Sequence, residues 1–320
     1  MDNLTHSLAG AALGEAGLKR MSGLGMAALV LGANIPDIDA AVLLTDADML
    51  VARRGWTHGP IALVLLPLLL TGVLVLFDRW QARRNTRPPS RAPVRPLQLL
   101  GLAFVGCLTH PLLDWMNVYG IRLLMPFSER WYYGDALQII DPWIWLALGT
   151  GVVLARRRSR KNVLRTGRPA HVALGAVTLY VALMIAGSRI AHRAALQHLA
   201  AEGTEPRRVM AGPVFVNSHR RQLIIDEGER YGFGSASLSP GVPVELDEAL
   251  VTNLDNPLAI ATRGHDPFRG FLYWSRFPYF VIPGDTVRGM IELRDARFRM
   301  ERAGAGSFRR QLPVQVLRPH

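Results

Sequence analysis

Residues 57–84 read THGPIALVLLPLLLTGVLVLFDRWQARR, and this stretch decides the fold. From Pro60 to Phe77 it carries no charged residue, and it ends on Asp78, Arg79, Arg83 and Arg84. A run of this kind is close to the roughly 20 apolar residues that a helix needs to cross a bilayer. Its basic end is expected on the cytoplasmic side, which puts Thr57 and His58 on the outer side. Three further segments read as candidate spans: Leu97–Leu113, Pro142–Ala155 and Ala170–Gly187. The third of the four is short for a span. Leu4–Gly17 and Gly23–Ala33 are also short and rich in Ala, Gly and Leu, as expected of short helices packed inside a bundle, since small residues let helices approach closely.

The chain of 320 residues has a net charge of +12, from 37 basic and 25 acidic residues. Residues 78–95 carry six Arg and one Asp, and residues 156–168 carry six Arg, Lys161 and no acid. These clusters lie between apolar segments, so the charge reads as membrane orientation. The expected partners are membrane lipids, and no nucleic acid is expected. Residues 1–18, 34–59 and 114–141 together hold ten acids and four Arg, and they form the opposite face. With the Lys19–Arg20 turn inside, the count is six crossings, with the N-terminus and everything after Gly187 outside. The start, MDNLTHSLAG, has no basic region and does not read as a cleavable signal peptide. Cys107 is the only cysteine, so no intramolecular disulfide can support an exported domain.

After a helix-like stretch over Ser188–Ala201, the composition turns to that of a soluble domain. Strand-like runs cover Val214–Asn217, Gln222–Asp226, Tyr231–Leu238, Phe271–Tyr273, Tyr279–Ile282, Val287–Leu293 and Val314–Leu317, and Glu245–Asn253 reads as a short helix. The expected architecture is a mostly α-helical polytopic membrane bundle over 1–190, followed by an exported β-rich (α+β) domain over 191–320.

The chemistry lies in the membrane half. The three histidines before residue 170 each follow a threonine: Thr5-His6, Thr57-His58 and Thr109-His110. Two acidic motifs accompany them, Asn34-Ile-Pro-Asp37-Ile-Asp39 and His110-Pro-Leu-Leu-Asp114. The topology brings all six groups, His6, Asp37, Asp39, His58, His110 and Asp114, to one outer face. His110 and Asp114 are four apart and share a helix face. Taken alone, each residue also fits a plainer role: Asp37 and Thr57 as helix caps, and His110 with Asp114 as a buried pair. Their convergence favours a shared metal site. Imidazole and carboxylate suit zinc, iron or manganese, and a divalent ion, zinc foremost, is the expected cofactor. No cysteine is available for a thiolate zinc site. Asp37 is the expected direct ligand, with Asp39 orienting a histidine. No side chain stands out as a catalytic acid or base; HExxH, GxSxG and P-loop motifs are absent. Glu15 reads as a pathway carboxylate or a partner of Arg20. Asp135 and Asp141 are further outer carboxylates, and histidines 171, 192, 198, 219, 265 and 320 share no spacing.

The blocks THSLAGAALGEAG, LGANIPDID, RGWTHG and THPLLDWMNVYG, in this order, resemble the YdjM/YbcI-type family of membrane-bound metal-dependent hydrolases over about residues 1–190. In the tail, Trp274-Ser-Arg-Phe-Pro278 and Asp295-Ala-Arg297-Phe298 resemble its longer members. Asn34 departs from the small or apolar residue expected in its block. The resemblance implies His6, Asp37, Asp39, His58, His110 and Asp114 as ligands, hydrolysis as the activity and the inner membrane as the location. Over a few residues the ligand order also resembles zinc-dependent phospholipase C, which points toward a phosphoester or lipid-derived substrate. The alternative is a non-catalytic, metal-stabilised membrane scaffold whose exported domain binds a partner. A transporter ranks last, because the spans over 60–77 and 170–187 offer almost no polar groups.

Overall fold

A computed structural model describes residues 1–45, 48–161, 166–266, 268–284, 289–299 and 308–314. In chain order the helices of the first half are α1 (Asn3–Glu15), α2 (Gly25–Gly32), a 3₁₀ helix over Ile35–Leu44, α3 (Met49–Ala52), α4 (Pro60–Arg83), α5 (Pro96–Trp115), α6 (Pro142–Arg160) and α7 (Arg168–Ala201). The chain forms two compact units. One comprises Met1–Ala41 and Arg53–Ala186, the other Val42–Ala52 and Gly187–His320. Helix α7 passes from the first unit into the second at Gly187. The span read over Ala170–Gly187 and the helix-like stretch over Ser188–Ala201 are joined in this one unbroken helix.

In the first unit, Pro60, Pro96 and Pro142 occupy the first turns of α4, α5 and α6, where a missing N–H costs nothing. Asp2 caps α1, accepting from Thr5 N at 3.1 Å, and Asp141 caps α6, accepting from Trp143 N at 3.1 Å. Among the described residues, three helices, α4, α5 and α7, are long and apolar enough to cross a membrane, and α2 with the 3₁₀ helix, bent by 53°, could make a fourth. The six crossings expected from the sequence exceed this number. The 13 residues of α1 rise only about 20 Å, against a hydrocarbon core of about 30 Å. Three Arg close α6 in its last turn, which shortens its apolar part.

Helix α2 packs between α1 and α5 through glycines. A Cβ on Gly10 would stand 2.6 Å from Leu29 O, one on Gly106 2.5 Å from the same oxygen, and one on Gly32 2.7 Å from Ala103 O. This is the close approach that small residues permit between helices. Buried Ala28, Leu29, Leu70, Leu74, Leu99, Leu102 and Ala103 fill the contact among α2, α4 and α5.

The basic clusters gather at one end of this unit. Ser22 Oγ accepts from Arg95 N at 2.9 Å, Gly23 N donates to Pro93 O at 3.0 Å, and Arg20 donates to Thr166 Oγ1 at 2.7 Å. Glu15 is buried and pairs with Lys19 at 2.5 Å and Arg156 at 3.2 Å, so its partners are these two and not Arg20. The opposite end carries the N-terminus of α4 and the C-terminus of α5.

The second unit holds two antiparallel sheets. One has the order β1-β2-β3-β4, from Arg208–Pro213, Arg220–Asp226, Arg230–Ser237 and Val244–Val251. The helices α8 (Pro257–Thr262) and α9 (Phe268–Trp274) follow. The second sheet has the order β5-β6-β7, from Pro278–Val281, Met290–Asp295 and Arg309–Pro313. Three expectations fail here. Residues 245–251 are a strand, because pairing with β3 overrides the helix preference of Glu, Leu and Ala. Residues 271–273 are helical, and their buried neighbours Phe268, Phe271 and Trp274 recur at helical spacing. The first strand ends at Pro213, before Val214–Asn217, where Val216 takes φ +64°, a left-handed value poorly suited to a β-branched residue. Residues 287–288 and 315–317 of two further expected strands lie outside the described residues, as does His320.

Trp274-Ser-Arg-Phe-Pro278 and Asp295-Ala-Arg297-Phe298 meet in this unit. Asp295 is buried and accepts from Ser275 Oγ at 2.5 Å, Arg276 N at 3.0 Å and Arg297 Nε at 2.8 Å. Arg297 lies over the Trp274 ring, 4.6 Å from its centroid. The two motifs therefore form a structural knot. Helix α3 belongs to this unit and packs on α9, where Gly270 leaves room for the Asp48 side chain.

Candidate metal centre

The site grows from the ends of four elements of the first unit. His58 closes a short 3₁₀ turn, Trp56–His58, between two glycines. A side chain on Gly59 would collide with the carbonyl of Met125, and one on Gly55 would meet the Arg122 guanidinium. Pro60 then opens α4 directly behind His58. His110 and Asp114 lie in the last turns of α5, His6 in the second turn of α1, and Asp37 and Asp39 in the 3₁₀ helix after α2. Asn34, the departure from the expected block, ties this turn down by donating to Val30 O at 2.8 Å and Ser7 Oγ at 3.1 Å.

The structure brings all six sequence-derived residues to one place. His6, His58, His110 and Asp114 are fully buried and Asp37 is nearly so. The His6 and His110 rings stack with centroids 3.8 Å apart, and His58 meets His110 edge-on at 5.0 Å. Asp114 is the hub. Its Oδ1 stands 3.5 Å from His6 Nε2, and its Oδ2 stands 3.6 Å from His110 Nε2 and 3.7 Å from His58 Nε2. Asp37 Oδ1 lies 3.7 Å from His110 Nε2. The Met1 amino group also contacts Asp114 Oδ1.

Two ring nitrogens are fixed from outside the cluster. His110 Nδ1 donates to Ala33 O at 2.7 Å. His58 Nδ1 lies 2.9 Å from Thr57 Oγ1, whose hydroxyl donates to Asp39 Oδ2 at 3.1 Å. Thr57 thus accepts from His58 and relays it to Asp39, which itself stands 3.5 Å from Nδ1. Both relays leave Nε2 as a lone pair aimed inward, the arrangement by which outer partners orient metal-binding histidines. Burial, with His110 and Arg54 nearby, holds the His58 imidazole well below its ordinary pKa, so it stays neutral.

Several polar atoms inside the cluster have no hydrogen bond. Among the described residues, Nε2 of His6, His58 and His110, Nδ1 of His6 and Oδ2 of Asp114 are buried without a hydrogen-bond partner. Such groups normally cost about 1–3 kcal/mol each when left unsatisfied. An ion held by His6, His110 and Asp114, or by Asp37, His58 and His110, would satisfy several of them at once. Donors bound at about 2.1 Å stand about 3.0–3.4 Å apart around one ion, close to the separations here. Two donor sets that could hold a metal ion, His6-His110-Asp114 and Asp37-His58-His110, share His110. Among the described residues no other such set occurs, and the later histidines take no part.

Two residues not singled out in the sequence enter the cluster, Arg53 and Arg54. Arg53 Nη2 donates to Asp37 Oδ1 at 2.7 Å, and its Nε is 3.5 Å from Asp39 Oδ1. Arg54 Nε stands 3.0 Å from Asp114 Oδ2 as an ion pair without hydrogen-bond alignment. Its Nη1 donates to Asn117 Oδ1 at 3.2 Å, its guanidinium lies over the Tyr119 ring at 4.4 Å, and its backbone N donates to Asp39 Oδ2 at 2.7 Å. Arg122 braces both, donating from Nη2 to Arg53 O and from N to Arg54 O. Asp141 is not a member: it caps α6 and accepts from Tyr180 OH at 3.0 Å. Glu15 lies at the other end of the unit.

No curated protein and no solved structure was found to match this chain. A sequence model described as YdjM inner membrane protein matches residues 1–192, which contain every residue of the cluster. With that match covering more than half of its length, the chain belongs to the YdjM family of inner membrane proteins.

Proposed function

We propose that the chain is a membrane-bound metal-dependent hydrolase whose centre is the His6, Asp37, His58, His110 and Asp114 cluster. The observation that carries this reading is the set of buried, inward-facing nitrogen and oxygen atoms with no hydrogen-bond partner. The donors are imidazole and carboxylate without sulfur, which fits zinc, iron or manganese and a hydrolytic role. A divalent ion held there supplies an acidified water as nucleophile. The chain's own residues do the rest. His58 and His110 present neutral Nε2 atoms, fixed by Asp39 through Thr57 and by Ala33. Arg54 holds the Asp114 carboxylate in place.

The orientation we infer puts the cluster at the outer face and residues 191–320 outside. Support comes from the basic residues gathered at the opposite end of the first unit. The site would then act on a substrate reaching it from the outer leaflet or beyond, with a phosphoester or lipid-derived compound as the expected class.

The test is metal analysis of the detergent-purified full chain, together with a hydrolase panel run with and without chelator. About one equivalent of zinc, iron or manganese and a chelator-sensitive activity lost in His58→Ala are expected. Metal at full occupancy with no turnover on any ester would favour the scaffold reading, and absence of metal would end both.

A further inference from the structure

We propose that Arg53 and Arg54 build an anion subsite beside the cluster, and that the substrate is a phosphoester whose phosphoryl oxygens Arg53 engages. This rests on the metal-centre reading above and narrows its substrate. Asp37, Asp39 and Asp114 carry three negative charges, and Arg53 and Arg54 carry two positive ones. One divalent ion among three neutral histidines turns the balance of these five side chains from −1 to +1, and Arg122, which donates to Arg53 O, adds to the positive side. A site of that sign in a buried setting favours an anionic ligand, because an uncompensated charge there is costly.

Geometry then separates the two arginines. Arg54 is enclosed: its side chain is 6% exposed, and Asp114, Asn117, Gly120 and Tyr119 surround its head. Its backbone takes φ +54°, a left-handed value that side chains rarely adopt, and at this turn two consecutive arginines face one cluster, Arg53 toward Asp37 and Asp39 and Arg54 toward Asp114. Arg53 is the accessible one. Its side chain is 26% exposed, and it uses Nη2 and Nε toward Asp37 and Asp39. Among the described residues no partner reaches its Nη1. The remaining edge of the guanidinium fork is therefore available to an oxyanion arriving at the cluster. A planar fork of this kind matches two oxygens of a phosphoryl group, and guanidinium beside a metal is the usual clamp on a phosphoryl group in transfer. A neutral glycoside or amide would offer Arg53 only uncharged acceptors, without the paired anionic oxygens that the fork matches. In the reaction, the oxygen of water bonds to phosphorus and the P–O ester bond breaks. The proton of water goes to the departing alkoxide, so the products are an alcohol and a phosphate.

The experiment uses the full chain in detergent, loaded with zinc, and titrates inorganic phosphate by calorimetry. Glycerol phosphate and a short-chain phosphatidic acid are then compared in the same detergent. Wild type should bind phosphate, and Arg53→Gln should bind it on the order of ten- to a hundredfold more weakly at unchanged zinc content. Arg53→Lys should recover part of the loss, since it restores charge without the fork. Preference for glycerol phosphate or for phosphatidic acid assigns a soluble or a lipid source, and either supports the proposal. Zinc-loaded wild type that binds no phosphate, or Arg53→Gln that binds it as well as wild type, overturns the subsite and leaves the metal centre standing. Arg53→Gln that loses zinc makes Arg53 a support of the ligand cage and also overturns it. A wild-type chain that takes up no zinc, iron or manganese fails at the metal reading itself.

Discussion

The carbonyl oxygen of Ala33, at the end of α2, lies 2.7 Å from Nδ1 of His110 in α5. That bond turns the histidine's Nε2 toward Asp37 and Asp114, and it exists only because α2 and α5 approach closely at Gly32 and Gly106. A Cβ at Gly106 would stand 2.5 Å from Leu29 O, so the helices must part. Gly106→Ala should cost about 1–3 kcal/mol of stability and weaken metal binding on the order of tenfold, although no ligand is touched. Gly101→Ala, on the same helix with nothing within 4 Å, serves as the control. Metal titration of the two variants decides it, and equal affinities would show that helix spacing does not set the orientation of His110.

The carboxylates of the 3₁₀ helix should separate by role. Asp37 faces His110 Nε2, whereas Asp39 reaches His58 only through Nδ1 and Thr57. His58→Ala, His110→Ala and Asp37→Ala should each abolish stoichiometric metal in protein that still inserts in the membrane. Asp39→Ala should weaken binding by about 10–100-fold, the usual effect of removing a partner that orients a ligand. Full metal occupancy in both histidine variants would sink the metal reading.

How much of this was legible in the sequence follows from what each signal depends on. The six cluster residues could be found because threonine-histidine pairs and acidic motifs fell at segment ends that charge alone assigned to one face. Arg53 and Arg54 were missed, yet a signal existed. Residues 1–18, 34–59 and 114–141 contain only four Arg, and three of them, Arg53, Arg54 and Arg122, meet at the site. An arginine kept on the acidic face, against the positive-inside trend, was the clue. The strand over Val244–Val251 was hidden for another reason: ELDEAL has helical composition, and only long-range pairing with β3 makes it a strand. Phe271 looked strand-like in a short window, because three aromatics at helical spacing need a longer one to be recognised.

In the second unit, Asp295 should matter to stability and not to metal. Burial alone would raise its carboxyl, but Arg297 and the hydrogen bonds from Ser275 and Arg297 outweigh burial and hold it below the ordinary range. A carboxyl with a depressed folded value stabilises above the unfolded value of about 3.9, and that contribution disappears as pH falls through the lower folded value. Asp295→Asn strands Arg297 and should cost about 3–5 kcal/mol near neutral pH. Thermal unfolding from pH 7 down to acid should show the gap between variant and wild type closing below about pH 4. A gap that is constant across this range would show that the pair does not titrate with folding.

Orientation is the prediction with the widest consequences, because it decides which compartment supplies the substrate. The loop Arg79–Arg95, the Lys19–Arg20 turn and the Arg156 end of α6 are drawn together by contacts of Arg95 with Ser22, Arg20 with Thr166 and Arg156 with Glu15. Whatever side one of them occupies, the others share, and so many like charges resist translocation. The cluster at the other end of α4 and α5 is then expected to face outward. Helix α7 leaves the basic end at Arg168 and is long enough to cross once before the sheets begin at Arg208. A reporter that works only in the cytoplasm should be active when fused after residue 85 or residue 160, and silent when fused after residue 203. Activity of the last fusion would place the sheets in the cytoplasm and, with α7 crossing once from the basic end, would put that end and its arginines outside. The metal cluster would then face the cytoplasm and its substrate would have to be sought there.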